Sequence, residues 1–153
     1  MPRPKKERLV ERPPLYTSFK PTGKPRKSLK RVELALDQYE AIRLADYEGL
    51  EHEEAAELMA ISRPTFTRLL EGARAAMAAF LIEGKELFVK GGSVHFAGNI
   101  LECENCGHVF KTDFSGTLDR CPSCGSKSLI DSAGTFGHGK CCDEYARRVR
   151  KTT

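Results

Sequence analysis

Tryptophan is absent from this 153-residue chain, and aromatic residues make up only 8% of it. No apolar run approaches the roughly eighteen consecutive residues that a membrane-spanning helix needs, so no membrane partner is expected. The basic opening, MPRPKKERLVERPP, leads into no apolar stretch, so no signal peptide is visible. Six cysteines without an export signal point to reduced thiols and metal rather than a disulfide framework. The expected location is therefore cytoplasmic. An acidic triad, an activated nucleophile and a segment able to house a catalytic domain are also lacking, so an enzyme is not expected.

Hydrophobic residues at 40% and charged residues at 30% are ordinary for a soluble protein. The length suits one domain or two small ones joined end to end, and the clustering of cysteines in the C-terminal half favours two. Cys103-x-x-Cys106-Gly107 is followed, after thirteen residues, by Cys121-Pro122-x-Cys124-Gly125. Two thiolates three positions apart grip one face of a tetrahedral ion when the chain between them turns tightly, and a second pair closes the other face. Gly107 and Gly125 stand where such a knuckle wants a positive φ, and Pro122 pre-sets the second turn. Zinc and a rubredoxin-like iron both accept four sulfurs. Zinc is favoured because the aromatic-rich surroundings usual at a redox iron are missing, and a filled shell of four sulfurs makes the ion structural.

Charge is distributed unevenly. Residues 1–31 hold eleven Lys or Arg against Glu7 and Glu11, a net +9, while the whole chain carries only +4. Pro2, Pro4, Pro13, Pro14, Pro21 and Pro25 exclude a long helix there and predict an extended or irregular arm, with Tyr16 and Phe19 available to pin it. A basic, proline-punctuated arm suits phosphate backbones or a minor groove, with Arg3, Lys5 and Lys6 as the contacts.

Helical patterning follows the arm. Asp37 as N-cap with Glu40 three positions on starts a first helix, which carries Tyr39, Ile42, Leu44 and Ala45 and stops at Gly49. A second helix over about 51–59 faces Ala55, Ala56 and Met59 inward, and Ala60 and Ile61 make a turn. Ser62 caps a third helix with Ile61 stapled to Phe66. Its apolar stripe runs through Phe66, Leu69, Leu70, Ala73, Met77 and Phe80 to Gly84. Two helices joined by so short a turn form a helix-turn-helix. With Phe66 and Leu69 held inside, Arg63, Pro64, Thr65, Thr67 and Arg68 face outward, where a recognition helix meets base edges: arginine pairs with guanine, threonine offers thymine a methyl group, and Ser62 at the helix N-terminus suits a phosphate.

These segments resemble a known family. MPRPKK, LDQYEAIRLADYEGL, and EEAAELMAISRPTFTRLLEGAR followed by EGKELFVKGG look like the small uncharacterised prokaryotic proteins of the UPF type, a domain of unknown function. Their helix-turn-helix is similar to region 4 of bacterial sigma factors. The resemblance covers about residues 1–92 and implies a regulator-like role in transcription, with Ser62, Arg63, Pro64, Thr65, Thr67 and Arg68 at the recognition positions. Two departures stand out: Glu51 where the second helix usually has a Ser or Thr cap, and Ala60 where the turn usually has Gly.

Residues 37–58 hold eight Asp or Glu against Arg43 alone, so this face is expected to point away from DNA. It offers a surface for RNA polymerase or another protein. Leu87-Phe88-Val89 and Val94-His95-Phe96 around a Gly-Gly pair read as a β-hairpin, and Ile100, Leu101, Val109, Phe110 and residues 128–130 supply ribbon strands. Cys141 and Cys142, after three glycines and with His138 three positions before, read as part of a loose tail, and His52, His95 and His108 show no partner pattern.

The predicted order is a basic arm (1–32), a helix-turn-helix bundle (33–84), a β-hairpin connector (85–99), a small β zinc ribbon (100–131) and a flexible tail (132–153). The fold class is thus a mainly α N-terminal bundle followed by a small β ribbon. The expected function is sequence-specific binding of double-stranded DNA by a transcriptional regulator with one structural Zn2+, with a homo-oligomer compatible with it. The readings left open are a metal- or redox-responsive module holding iron, and an RNA-binding or ribosome-associated protein.

Overall fold

The computed structural model describes residues 7–114 and 119–151. The chain divides into two compact units. One comprises Tyr16–Val94 with the described residues up to Leu9, and the other Val10–Leu15 with the described residues from His95 onward.

The first unit is built as a crossover. β3 (Arg31–Leu34) and β4 (Glu86–Val89) lie parallel, in a register that sets Val32 against Leu87 and Leu34 against Val89. Parallel neighbours need a long connection, and here α1 (Leu36–Ile42), α2 (His52–Leu58) and α3 (Arg63–Glu83) supply it. β2 (Ser18–Phe19) pairs antiparallel with the other edge of β4. β1 (Arg8–Val10) begins in this unit, where the Arg8 and Leu9 amides donate to the carbonyls of Ser93 and Met59 at 2.9 and 3.0 Å.

Ala41, Leu44, Ala55, Ala56, Met59, Phe66 and Leu70 form the helical core, with Ile42, Ala45, Leu50, Ile61 and Leu69 packed against it. The paired alanines on α2 add little bulk, which leaves room for Phe66 of α3 beside them. After α1 the chain widens into a π-type turn over Arg43–Tyr47, with the Glu48 amide donating to the Arg43 carbonyl at 2.8 Å. Gly49, at φ 74°, reverses the chain out of that turn.

The turn between α2 and α3 closes in the same way without a glycine. Ala60 sits at φ 58°, its amide donates to the Glu57 carbonyl at 3.1 Å, and that of Ile61 donates to Ala56 at 3.0 Å. This pair of bonds is the Schellman arrangement. Ser62 then caps α3: its Oγ accepts from the Thr65 amide at 3.3 Å and donates to Thr65 Oγ1 at 2.8 Å. Pro64 occupies the first turn, where no helical amide is needed. Gly84, at φ 64°, ends the helix.

In the second unit, β6 (Asn99–Cys103) lies between β7 (Val109–Thr112) and β8 (Leu129–Asp131), both antiparallel to it. Amides of Ala97 and Gly98 donate to the carbonyls of Val10 and Glu11 at 2.8 and 2.7 Å, which draws Val10–Leu15 into this unit. β5 (Val94–Phe96) contributes Phe96, which is fully buried. α4 (Ser132–Thr135) starts where Asn99 bridges the Asp131 carboxylate, at 2.7 Å, and the Ala133 amide, at 2.9 Å. α5 (Lys140–Lys151) closes the described chain. No helix among the described residues is long and apolar enough to cross a membrane.

Several expectations need correction. The helical N-terminal region and the small β C-terminal region stand, but the first unit also holds a three-stranded mixed sheet and the second holds two helices. The hairpin over 85–99 does not form, because both edges of β4 are already taken by β2 and β3. Among the described residues of the expected loose tail, 132–135 and 140–151 fold instead into α4 and α5, with Cys142 fully buried. Tyr16 and Phe19 do not pin the arm; they are exposed, and Val10 and Pro13 are buried in their place. The N-cap of α1 is Ala35, whose amide donates to Gln38 Oε1 at 3.0 Å. Asp37 is buried within the first turn and paired with Arg8, while Glu40 pairs with Arg43 at 2.5 Å.

Two substitutions check this account. An alanine at positive φ is strained by about 1 kcal/mol relative to glycine, so Ala60→Gly should raise the denaturation midpoint accordingly. Removing one member of a buried ion pair leaves the other charge stranded, at a cost of about 3 kcal/mol. Arg8→Ala should therefore lower the stability of the first unit by about that much, and replacing Arg8 and Asp37 together by apolar residues should recover part of the loss in the same urea titration.

Candidate metal centre and nucleic-acid interface

Backbone geometry makes the two cysteine knuckles near copies of each other. In the first, the Cys103 amide donates to the His108 carbonyl at 2.9 Å and the Gly107 amide to the Cys103 carbonyl at 2.9 Å; in the second, Cys121 donates to Ser126 and Gly125 to Cys121, both at 2.8 Å. Gly107 and Gly125 take φ values of 76° and 77°, a left-handed turn that glycine adopts without strain. β6 delivers Cys103 at its end, and the pairing of β8 with β6 sets Leu129 opposite it.

The four sulfurs converge. Cys103 Sγ lies 3.6 Å from Cys124 Sγ, and Cys106 Sγ lies 3.6 Å from Cys121 Sγ. All four ligand atoms fall within 4.8 Å of one another, so the cluster could hold a metal ion. Tetrahedral bonds of about 2.3 Å place neighbouring sulfurs about 3.8 Å apart, which the observed spacing fits. Cys103 and Cys121 are buried, while Cys106 and Cys124 are exposed.

Amides aim at these sulfurs as they would at thiolates. The Cys106 amide reaches Cys103 Sγ at 3.5 Å, and that of Ser123 reaches Cys121 Sγ at 3.4 Å. The Ser126 amide and the Asn105 side chain, 3.6 Å away, draw Cys124 down to about 6. At Cys106 the His108 amide also pulls down, but desolvation and the three neighbouring sulfurs outweigh it and carry the thiol to about 11. Without a cation, then, the cluster holds its protons unevenly, and loading an ion would displace those that remain.

The candidate nucleic-acid strip lies on the first turns of α3. Ser62, Arg63, Pro64 and Arg68 are exposed, and Thr65 is half-buried with its hydroxyl held by Ser62. Thr67 is turned toward α2, where its Oγ1 lies 3.0 Å from His52 Nδ1. The His52 ring in turn meets Phe66 edge-on at 5.4 Å. His52 had shown no partner pattern in the sequence, since only folding brings residues fifteen positions apart together. Further along α3, Arg74 Nη2 pairs with Asp46 at 2.6 Å and holds that carboxyl below its ordinary range. Arg3, Lys5 and Lys6 lie outside the described residues.

The acidic stretch is less uniform in space than in sequence. Asp37, Glu40, Asp46 and Glu48 pair with Arg8, Arg43, Arg74 and Arg43. Glu51, Glu53, Glu54 and Glu57 stay exposed at and along α2. The negative surface is thus concentrated on that single helix.

A family model described as a protein of unknown function, DUF134, matches residues 1–97. Among similar proteins, a UPF0251 protein of Chloroherpeton thalassium is 58% identical over 107 residues, covering 70% of this chain and 71% of its own. Another UPF0251 protein, from Pelotomaculum thermopropionicum, is 50% identical over 111 residues, covering 72% and 84%. A third, from Moorella thermoacetica, is 46% identical over 113 residues, covering 74% and 76%. No solved structure matches the chain.

Small metal-linked β units derive most of their folding energy from the ion. Stripping metal with a strong chelator should therefore collapse the dispersed amide resonances of β6, β7 and β8, and adding metal back to saturation should restore them. Resonances unchanged by chelation would show that the strands stand without metal.

Proposed function

The chain belongs to the family described as a protein of unknown function, DUF134, and we propose that it binds double-stranded DNA as a transcriptional regulator, reading the major groove with the start of α3. The observation that carries this reading is the outward strip of α3. Core packing fixes Phe66 and Leu70, the Ser62 cap fixes where the helix begins, and Arg63, Pro64 and Arg68 are left exposed on its first two turns. Five residues of helix rise about 7.5 Å, roughly two base-pair steps, so both arginines can meet base edges in one groove. Guanine is the base each would read, through paired hydrogen bonds to its O6 and N7. Thr65 and Ser62, close to the helix N-terminus, suit a neighbouring phosphate.

Within this reading α2 tilts away from the duplex, because Glu51, Glu53, Glu54 and Glu57 would be repelled by phosphates. That acidic helix is the surface we assign to a basic protein partner, such as RNA polymerase. The N-terminal arm, with Arg3, Lys5 and Lys6, adds sequence-independent phosphate affinity. In the second unit the ion on Cys103, Cys106, Cys121 and Cys124 is zinc in a structural role: four sulfurs leave no position for substrate or activated water, and no catalysis is assigned to the protein. A colourless loaded protein supports zinc, whereas an intense red colour would mark ferric iron.

Replacing Arg63 or Arg68 by alanine should weaken binding to a selected DNA site by about 1–3 kcal/mol and relax the preference at one base. Replacing Lys5 and Lys6 together should weaken binding to all sequences, with the slope of log affinity against log salt reduced by about 0.9 per lost phosphate contact. Unchanged affinity in both sets, measured by fluorescence anisotropy across a salt series, would overturn the reading.

A further inference from the structure

We propose that the second unit holds a second zinc ion, on His95, His138, Cys141 and Cys142, which pins the C-terminal helix to β5. The proposal is independent of the DNA-binding reading and of the ion on the four-cysteine knuckles.

Four ligand atoms meet here as closely as they do in the knuckle pair. His138 Nδ1 lies 3.4 Å from Cys141 Sγ and 3.4 Å from Cys142 Sγ, and the two sulfurs are 3.9 Å apart. With His95 included, all four ligand atoms lie within 4.8 Å of one another. Bonds of about 2.3 Å to sulfur and about 2.0 Å to nitrogen give tetrahedral edges of about 3.5 Å from S to N and about 3.8 Å from S to S. Hydrogen bonding alone explains the arrangement less well, because a single imidazole nitrogen is shared equally between two sulfurs. Two imidazoles and two thiolates in tetrahedral array are a donor set that selects zinc.

The chain builds this site deliberately. α4 is a one-turn helix closed by Gly137 at φ 79°, with the Gly137 amide donating to Gly134 and that of His138 to Ala133, both at 2.9 Å. That closure is a Schellman turn, and it fixes the direction in which His138 leaves the helix. Gly139 then accepts from the Cys142 amide at 3.1 Å, which starts α5 and sets both cysteines in its first turn. Adjacent cysteines rarely share an ion in an extended chain; the tight turn between Gly137 and Lys140 brings His138 back over both of them.

Support also comes from β5. The Phe96 amide donates to Cys142 Sγ at 3.2 Å, the kind of bond that steadies a thiolate ligand. His95, buried, stacks on the Tyr145 ring at 4.6 Å and 17°, and Phe96 meets the His138 ring edge-on at 5.1 Å. Tyr145 lies three residues beyond Cys142, on the same face of α5. Each imidazole is thereby held by packing. Loading one Zn2+ forms two Zn–S and two Zn–N bonds and releases one proton from each thiol.

The test counts metal in the full chain. Native mass spectrometry of protein refolded with zinc should show two equivalents per chain. His138→Ala and the pair Cys141→Ser with Cys142→Ser should each retain one, and Cys103→Ser with Cys121→Ser should retain the other. A metal count that neither His95→Ala with His138→Ala nor Cys141→Ser with Cys142→Ser lowers would overturn the proposal. Should the variants misfold, alkylation of the unaltered chain still decides: Cys141 should react at least tenfold more slowly with zinc than after chelation. Equal rates would overturn the proposal.

Discussion

Left-handed turns set where Ser62, the four clustered cysteines and His138 stand. Ala60, Gly107, Gly125 and Gly137 take φ values of 58°, 76°, 77° and 79°. Each reverses the chain within a few residues and leaves the amides beyond it bonded back to the segment just finished. At Ala60 the reversal swings α3 across α2 and brings Ser62 to its cap. At Gly107 and Gly125 it folds a knuckle around a sulfur, and at Gly137 it returns His138 toward two thiols. Strands and helices then carry these fixed points into register.

Charge is disposed by the same logic of short reach. Arginines at 8, 43 and 74 neutralise four of the carboxylates in the acidic stretch, two of them buried. What remains exposed is a strip of glutamates on α2 beside a strip of arginines at the start of α3. The glutamates of α2 and the arginines at the start of α3 give the first unit a charge polarity that a uniform distribution could not.

Much of this architecture was legible in the residues themselves. The cap at Ser62, the alanine pair, the stop at Gly84 and both knuckle glycines stand as expected, because each depends on groups within one turn of chain. The strands flanking the knuckles were equally visible from their short apolar runs. Misreadings arose where a local pattern had a remote competitor. Asp37 has the chemistry of a cap, but Arg8 draws it into a buried pair. Leu87-Phe88-Val89 has the look of half a hairpin, yet β2 and β3 occupy both of its edges. Thr67, which has the spacing of a base contact, also meets His52, a neighbour no local pattern announced.

Sequence by itself determined the turns, the helix starts and the four-cysteine spacing, since those rest on φ preferences and on ligands separated by two residues. Tertiary structure alone decided that the helical block closes a parallel β3–β4 pair, and that His95 joins residues more than forty positions later in the chain. The physical reason is reach: a turn is stabilised by hydrogen bonds among neighbours, whereas a strand partner or a distant imidazole is selected only when burial brings remote segments together.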